Sequence, residues 1–294
     1  MHGRLLRRTV CRLAQPVLPG LTEADIRPIE EGGEHSSWWV GGRHVMRLAL
    51  DPDTSARQRR EVELRNLLRP RLGIVPASVA AGEWAPGLAY TLDVRLLGLS
   101  AEAREVSAAG EADLVKMLTI LRQIPAVEAD ALGIHWHQPR DIASLRRIAA
   151  QAAKQLAADG EFVPGLMPQD PLADDQPQVQ VTERVLLHND LKGEHLLIDE
   201  DGGVSGVLDW TDAVTGDPAE DIAGLAITVG ALAAVRVTVG AQYTAAQAAR
   251  ALTLCRCDTL LRLANRLYQG DDSPLPLLRA QLRRAWQRTP LDAG

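Results

Sequence analysis

The spacing of apolar and polar residues changes character near residue 98. Before that point, short segments rich in Val, Trp, Leu and Arg are separated by glycines, as in SSWWVGG, RHVMRLAL and LAYTLDVRLL. Gly41-Gly42 between the first two segments is typical of a hairpin turn. The stretch TSARQRREVELRNLLRPRL predicts a helix that ends at Pro70. We therefore expect a small antiparallel sheet with one helix.

After residue 98 the pattern indicates helices. GEADLVKMLTILRQI and RDIASLRRIAAQAAKQLAADG place apolar residues at helical spacing, and further helices are predicted at about 241–268 and 274–288. One β segment interrupts them at 184–210, where two apolar runs flank Asp201-Gly202-Gly203, a turn signal. The prediction is an α+β chain of two lobes, as in protein kinases. A small antiparallel β lobe spans 1–95, and a larger, mainly helical lobe spans 96–294.

Composition excludes several classes of protein. Hydrophobic residues make up 46% and charged residues 24% of the 294 residues, as in ordinary globular chains. The longest apolar run, Ile222 to Val235, is too short to span a bilayer, so it predicts a buried helix and no membrane partner. The start lacks the apolar stretch of a signal peptide, and three cysteines give no disulfide framework. We therefore expect a cytoplasmic protein.

Charge is distributed unevenly. Residues 1–100 carry a net charge of +3 and the remainder −9. A basic N-terminal part suits an anionic ligand such as a nucleotide, and an acidic C-terminal part suits a cationic one. Scattered solvated charge explains the same counts equally well. There is no basic stripe of the kind that nucleic-acid binding requires, so no such partner is expected.

The candidate chemistry is concentrated in HNDLKGEHLLID, residues 188–199. His188, Asp190, Lys192 and His195 lie within eight residues and precede an apolar run. With Asp209, at the end of SGVLDW, they could form the metal cluster of a hydrolase. Alternatively they suit phosphoryl transfer, in which Asp190 accepts the proton of a hydroxyl and Asp209 binds Mg²⁺ through oxygen.

The same stretch, followed by GVLDWTDAVTGDPAEDIAGL, resembles the aminoglycoside phosphotransferase family, which includes the macrolide phosphotransferases. LTILRQIPAVEADALGI, residues 118–134, resembles a helix of that family. The resemblance implies a kinase-like fold and transfer of the γ-phosphoryl group of ATP or GTP to a small molecule. Asp190 matches the catalytic base and Asp209 the Mg²⁺-binding aspartate. Asp217 and Asp221 match a segment that would brace the catalytic loop.

Two positions depart from the family motif. His195 stands where most members have Asn as the second Mg²⁺ ligand, although the macrolide enzymes also carry His there. Because imidazole binds Mg²⁺ less well than oxygen does, His195 would coordinate weakly or through water. Lys192 replaces a usual His and resembles the lysine with which protein kinases steady the transferring phosphoryl group. A solvated loop lysine is the alternative interpretation.

The N-terminal part is predicted to bind the nucleotide. In IEEGGEHSSWWV, Gly32-Gly33 would form a turn over the phosphates, with Ser36 and Ser37 as donors. The resemblance places Arg47 in the position of the phosphate-binding lysine. Glu61 would pair with it, and Glu63 is the second choice.

The segment YTLDVRLL resembles the connector between the lobes of a kinase. Backbone groups of Asp93 and Val94 would bind the purine edge there. On the acceptor side, the predicted loop 160–178 carries four acids, Glu161, Asp170, Asp174 and Asp175. We expect these acids to attract a cationic acceptor. The resemblance implies that this acceptor is a basic antibiotic of the aminoglycoside, macrolide or peptide type.

Three alternatives remain open from the sequence. One is a metal-dependent hydrolase that uses His188, Asp190, His195 and Asp209 as ligands. Another is an inactive kinase-like binding module, against which the presence of both Asp190 and Asp209 argues. The third is a kinase of an ordinary metabolite.

Overall fold

The computed structural model describes residues 2–29, 35–163 and 184–293. Its contacts divide the chain into two compact units. The first unit comprises Met1–Leu97 with Gly206–Thr211, and the second comprises Gly98–Ser205 with Asp212–Gly294. A linear division of the sequence could not anticipate that residues 206–211 return to the first unit.

The first unit contains a five-stranded sheet in the order β1-β2-β3-β5-β4. Its strands are β1 (Ile26–Pro28), β2 (His35–Val40), β3 (His44–Ala49), β4 (Ser78–Ala85) and β5 (Leu88–Val94). All neighbouring strands are antiparallel, which confirms the predicted sheet. Gly41 ends β2 with φ +59°, a conformation that suits glycine in the predicted hairpin turn. The sequence did not predict β1 or β4.

Two helices, α1 (His2–Ala14) and α2 (Pro52–Leu68), cover the two faces of this sheet. On one face, Trp38 and Met46 pack with Val10 of α1 in an apolar core. The other face carries α2, whose Gln58 side chain donates to the Arg47 carbonyl oxygen at 3.1 Å. The helix α1 was not predicted, because its many arginines obscured an amphipathic pattern.

The second unit is built mainly from helices. They are α3 (Ala108–Gln123), α4 (Ala126–Ala131), α5 (Ile142–Ala158), α6 (Ala219–Val229), α7 (Ala231–Gly240), α8 (Ala245–Tyr268) and α9 (Leu275–Ala285). The long helix α8 packs against α5, α6 and α9. The predicted helices at 241–268 and 274–288 are confirmed as α8 and α9, with starts and ends a few residues different.

The predicted single helix over residues 222–235 is wrong in one respect. The run forms two helices, α6 and α7, separated by Gly230 with φ +98°. Helical backbone requires negative φ, so the chain must turn there. Among the described residues, no helix is both long and apolar enough to cross a membrane.

Five further strands, each of two to four residues, follow β5 along the chain. They are β6 (Leu99–Ser100), β7 (Val185–Leu187), β8 (Leu196–Ile198), β9 (Val204–Val207) and β10 (Val214–Gly216). β6, β8 and β9 form one sheet, whereas β7 pairs antiparallel with β10. The strand β9 begins in the second unit and ends in the first. All three residues of β7 are buried, and this strand leads directly into the loop that begins at His188.

Candidate active site

The entry to the loop at residues 188–195 is fixed by a buried carboxylate. Asp221, near the start of α6, accepts the backbone N–H groups of His188 and Asn189, each at 2.8 Å. Burial raises the pKa of Asp221 to about 6, although the two hydrogen bonds oppose this shift. Asn189 has φ +67°, a left-handed conformation that Asn tolerates better than most residues. The loop therefore leaves β7 in one defined direction.

A second acid of the same segment, Asp217, is held by an arginine that the sequence did not single out, Arg250. Asp217 accepts from Arg250 Nε at 2.6 Å and from the backbone N–H of Ala219 at 3.0 Å. Arg250 also donates to the Arg140 carbonyl oxygen. Since Arg250 lies 33 residues from Asp217 and 110 from Arg140 along the chain, no local pattern could have indicated these two contacts.

Asp190 is held through its backbone and presents its carboxylate to solvent. Its carbonyl oxygen accepts from Lys192 N and from His195 Nδ1, both at 2.8 Å. Because a carbonyl can only accept, Nδ1 of a neutral His195 carries the proton and Nε2 carries the lone pair. The Asp190 side chain is 24% exposed. The turn from 190 to 195 therefore orders a carboxylate without burying it.

Lys192 and His195 lie beside this carboxylate. Lys192 Nζ is 2.9 Å from Asp190 Oδ2 and 3.9 Å from Glu194 Oε1. His195 Nδ1 is 3.6 Å from Asp190 Oδ2, and its Nε2 is 3.8 Å from Glu194 Oε1. Asp190, Lys192 and His195 are thus neighbours in space as well as in sequence. Glu194 was not predicted, although it lies within the same motif.

In the first unit, four charged side chains form what we call the buried quartet: Arg47, Glu61, Arg65 and Asp93. Arg47 Nη2 lies 2.8 Å from Glu61 Oε2, and its Nε lies 3.5 Å from Asp93 Oδ2. Arg65 Nη1 lies 3.2 Å from Asp93 Oδ2, and its Nε lies 3.5 Å from Glu61 Oε1. The predicted pair of Arg47 with Glu61 is present, whereas Glu63 is exposed. Arg65 was missed, although its i,i+4 spacing from Glu61 is a helix-pair signal.

The quartet keeps Arg47 and Asp93 charged despite burial. Burial opposes the charge of Arg47, but Glu61, Asp93 and Asp209 together raise its pKa above the ordinary value. Burial likewise opposes the charge of Asp93, and the guanidinium groups of Arg47 and Arg65 hold the pKa of Asp93 below its usual value. Arg47 therefore carries a positive charge at every physiological pH.

The segment that carries Asp209 is anchored to the same quartet. Thr211 Oγ1 donates to Glu61 Oε2 at 3.1 Å, so Glu61 binds both Arg47 and Thr211. The buried Trp210 donates from Nε1 to the Val207 carbonyl oxygen at 3.0 Å. Between these anchors Asp209 has φ +57°. Left-handed backbone is uncommon outside glycine and concentrates at functional sites, where surrounding contacts enforce it.

Comparison with known protein families decides the identity of the fold. A family model described as the phosphotransferase enzyme family, APH, matches residues 25–253. The chain belongs to this phosphotransferase enzyme family. The predicted family, the kinase-like fold and the assignment as a phosphotransferase are thereby confirmed.

Solved structures similar to this phosphotransferase include enzymes that act on antibiotics. The GDP complex of wild-type aminoglycoside 2'-phosphotransferase-IIIa matches with a TM-score of 0.66 and 16% identity, over 95% of this chain and 98% of that one. Macrolide 2'-phosphotransferase MphH from Brachybacterium faecium matches with a TM-score of 0.59 and 23% identity, over 95% and 99%. At these identities the likeness establishes the fold.

One curated protein resembles a short part of the chain more closely. The uncharacterized protein YcbJ of Bacillus subtilis (strain 168) is 56% identical over 36 residues. These residues are 12% of this chain, and they span only 12% of the length of that relative. The match therefore assigns no activity.

Two predicted nucleotide contacts require correction. Neighbouring strand residues point to opposite faces, and Ser37 is paired with Arg47 across β2 and β3 whereas Ser36 is paired with Leu48. Ser36 Oγ accepts from Trp38 Nε1 at 2.9 Å, on the face covered by α1. Ser36 is therefore on the wrong face to act with Arg47, and only Ser37 shares the face of that arginine.

The prediction that the Val94 amide binds the purine edge is also wrong, because that amide already has a backbone partner. Asp93 and Val94 lie inside β5, and Val94 N donates to the Ala77 carbonyl oxygen at 2.8 Å. The Asp93 side chain instead neutralises Arg47 and Arg65. The predicted turn at Gly32-Gly33 and the acids Asp170, Asp174 and Asp175 lie outside the described residues.

The metal-hydrolase alternative gains no support. In the part of the chain that the structure describes, no group of three or more His, Cys, Asp or Glu side chains is arranged to hold a metal ion. His188, one of the ligands that this alternative requires, is fully buried, and its Nδ1 accepts from Asp190 N at 3.3 Å.

Proposed function

We propose that this phosphotransferase moves the γ-phosphoryl group of ATP or GTP to a hydroxyl group of a small basic antibiotic and so confers resistance. The observation that carries the proposal is the partly exposed Asp190 carboxylate, with Lys192 Nζ at 2.9 Å, on a loop whose entry is held by Asp221. The similar solved structures include a GDP and kanamycin complex and a streptomycin–ATP complex of aminoglycoside enzymes. Those ligands support the substrate class proposed for this chain.

Asp190 accepts the proton of the acceptor hydroxyl as the hydroxyl oxygen forms a bond to the γ-phosphorus. The bond from this phosphorus to the β–γ bridging oxygen breaks, and the nucleoside diphosphate leaves. An ordered carboxylate within hydrogen-bond reach is what general base catalysis requires. Lys192 neutralises this carboxylate in the described arrangement. Its ammonium group, on a flexible stem that is 44% exposed, turns to the transferring phosphoryl oxygens when nucleotide binds.

Arg47 binds phosphate oxygens in the first unit. The buried quartet fixes its guanidinium group, and 15% exposure of the side chain leaves part of it accessible. Ser37 lies opposite Arg47 on the neighbouring strand and is the remaining serine donor of the proposal. The purine edge binds to backbone groups of the connector YTLDVRLL other than the Val94 amide, which donates to the Ala77 carbonyl oxygen.

The family implies a divalent ion, and the donor chemistry of Asp209 fits it. Carboxylate oxygen is the ligand type that Mg²⁺ prefers, and Asp209 is exposed on a backbone that its φ of +57° constrains. Bound Mg²⁺ would offset the negative charge of the phosphates. His195 fits less well, because the atom that it offers to the ion is the nitrogen Nε2, and Mg²⁺ prefers oxygen ligands. It therefore assists weakly or through water.

Two features support a cationic acceptor. The sequence beyond residue 100 has a net charge of −9, and Glu194 adds an exposed carboxylate next to Asp190 and Lys192. Such attraction is screened by salt over about 8 Å at physiological ionic strength. The KM of the acceptor therefore increases with salt more steeply than that of the nucleotide, which metal and side chains bind at short range.

The test is a phosphorylation screen with purified protein. ATP and GTP are each offered with aminoglycosides, macrolides, basic peptide antibiotics and uncharged hydroxylated metabolites, and products are identified by mass spectrometry. Transfer to a basic antibiotic that is absent in Asp190→Ala supports the proposal, as does increased resistance of cells that express the wild-type protein. Transfer only to uncharged metabolites identifies a metabolite kinase. Stoichiometric zinc without transfer identifies a hydrolase, and nucleotide binding without transfer identifies a binding module.

A further inference from the structure

The turn of the catalytic loop is held from outside by a segment that we call the clasp, Ser100 to Glu102. Ser100 Oγ donates to the Gly193 carbonyl oxygen at 2.9 Å, and Ala101 N donates to the same oxygen at 3.0 Å. Ala101 N also lies 2.8 Å from the Leu196 carbonyl oxygen. The clasp therefore contacts the backbone within and directly after the turn.

The third residue of the clasp explains why position 193 is glycine. A Cβ atom on Gly193 would lie 2.6 Å from Cδ and 2.7 Å from Cγ of Glu102, closer than real Cβ atoms approach other atoms. Gly193 is not among the residues with positive φ, so its backbone does not require glycine. The constraint is the space that the Glu102 side chain occupies.

Glu102 cannot simply move aside, because α9 holds its carboxylate. Gln281 Nε2 donates to Glu102 Oε1 at 3.0 Å, and Arg284 forms an ion pair with Glu102 Oε2. The Glu102 side chain is 17% and that of Arg284 is 22% exposed, so solvent screens the pair only in part. A C-terminal helix thus fixes a side chain that contacts the catalytic turn.

We propose that Glu102 is a positioning residue of the active site, which Arg284 and Gln281 anchor against Gly193. The turn that it holds carries Lys192 and His195, and His195 N donates to the Lys192 carbonyl oxygen at 3.0 Å. By fixing Gly193, Glu102 fixes both side chains relative to Asp190. The effect on turnover rests on the proposed phosphotransfer, whereas the effect on the order of the turn does not.

The test is a set of variants that separates the effect of the space occupied by the Glu102 side chain from the effect of its charge. Gly193→Ala alone lowers kcat by about 10- to 100-fold, because small misplacements of catalytic groups are costly. Glu102→Ala alone lowers kcat by about 10-fold, and adding Gly193→Ala to it lowers kcat by no more than about twofold further, since the space is then open. Gly193→Ala with Glu102→Gln stays as slow as Gly193→Ala alone, because Gln is as long as Glu.

Two control variants match the substitutions without touching the turn. Gly42→Ala places a Cβ where nothing lies within 4 Å, and Glu105→Ala removes an exposed acid three residues after Glu102. Both are expected to retain wild-type kcat. Independent losses in Gly193→Ala and Glu102→Ala that multiply in the double variant would overturn the proposal.

A second measurement needs no acceptor. Backbone hydrogen exchange of residues 192–196 is expected to accelerate about 10-fold or more in Glu102→Ala and Arg284→Ala, with little change in the exchange of β7. Unchanged exchange at 192–196 overturns the positioning role. If exchange responds as expected but no acceptor is phosphorylated by the wild type, the proposed function fails while the clasp stands.

Discussion

The buried quartet of the first unit and the catalytic loop of the second both place carboxylates beside cations, but they hold them differently. In the quartet, side chains neutralise one another, and Glu61 and Arg65 are only 1% and 2% exposed. In the loop, Asp190 and Lys192 are 24% and 44% exposed, and the backbone rather than the side chains is held, by Asp221.

The difference separates stability from reactivity. Removal of one partner of a buried ion pair lowers the free energy of unfolding by several kcal/mol. Replacement of a single member of the quartet is therefore expected to destabilise the fold. An exposed ion pair contributes roughly 0 to 1 kcal/mol, so Lys192 and Asp190 can exchange partners at little cost. A side chain that has to change its partner during a reaction suits the second arrangement.

The largest effect is expected in the quartet. Glu61→Ala leaves Arg47 and Arg65 with Asp93 alone of their two shared carboxylates, and it removes the acceptor of Thr211. We expect the free energy of unfolding to decrease by about 3 to 5 kcal/mol, measured by urea denaturation. The matched control is Glu63→Ala, an exposed acid of the same helix, which should change it by less than about 0.5 kcal/mol. Equal decreases in the free energy of unfolding for Glu61→Ala and Glu63→Ala would show that the quartet does not stabilise the fold.

The loop should respond in activity rather than stability. Asp190→Ala is expected to lower kcat by about 100-fold or more, with the melting temperature nearly unchanged. Glu200→Ala, an exposed acid beyond β8, is the control and should keep wild-type turnover. A large decrease in melting temperature for Asp190→Ala would show that the loop carboxylate is structural, as the quartet is.

Asp221 is buried like the members of the quartet, but it holds the backbone of the catalytic loop. Its titration therefore tests how a buried acid supports the loop. Its pKa of about 6 when folded lies above the ordinary 3.8, so the folded state binds the proton more tightly. The stability contributed in this way is complete below about pH 4 and is lost as pH rises through about 6. Asp221→Asn cannot titrate, so its destabilisation relative to wild type should be greater at pH 4 than at pH 7, by on the order of 1 kcal/mol.

Urea unfolding of both proteins across this pH range measures the difference directly. A destabilisation that stays constant, or that increases toward neutral pH, would mean that Asp221 does not titrate as a buried acid.

The smallest effect on stability is expected for Lys192. Lys192→Met removes the ion pair with Asp190 but leaves the backbone hydrogen bonds of the turn intact. The free energy of unfolding should change by less than about 1 kcal/mol. A decrease as large as that of Glu61→Ala would place the loop pair in the same class as the quartet.

Several features of the site could be predicted from short stretches of sequence. The hairpin at Gly41-Gly42, the helix that carries Glu61, and the crowding of Asp190, Lys192 and His195 all depend on residues close together in the chain. Local patterns of this kind predict structure because the turn and helix periods are set within a few residues.

Other features could not be predicted in this way. Ser36 and Ser37 are adjacent and identical in chemistry. The register of β2 against β3 decides that Ser37 lies on the face of Arg47. The split of the run at 222–235 followed from the conformation of Gly230, which an apolar pattern does not reveal.

The sequence by itself determined the division into a β-rich part and a mainly helical part, the motif that carries Asp190 and Asp209, and through that motif the family. Only the tertiary structure decided that Asp93 neutralises two arginines, that Thr211 is bonded to Glu61, and that Glu102 explains Gly193. The physical reason is distance along the chain. These contacts join residues from 28 to 150 positions apart. Burial and charge, rather than local periodicity, select such partners once the chain is packed.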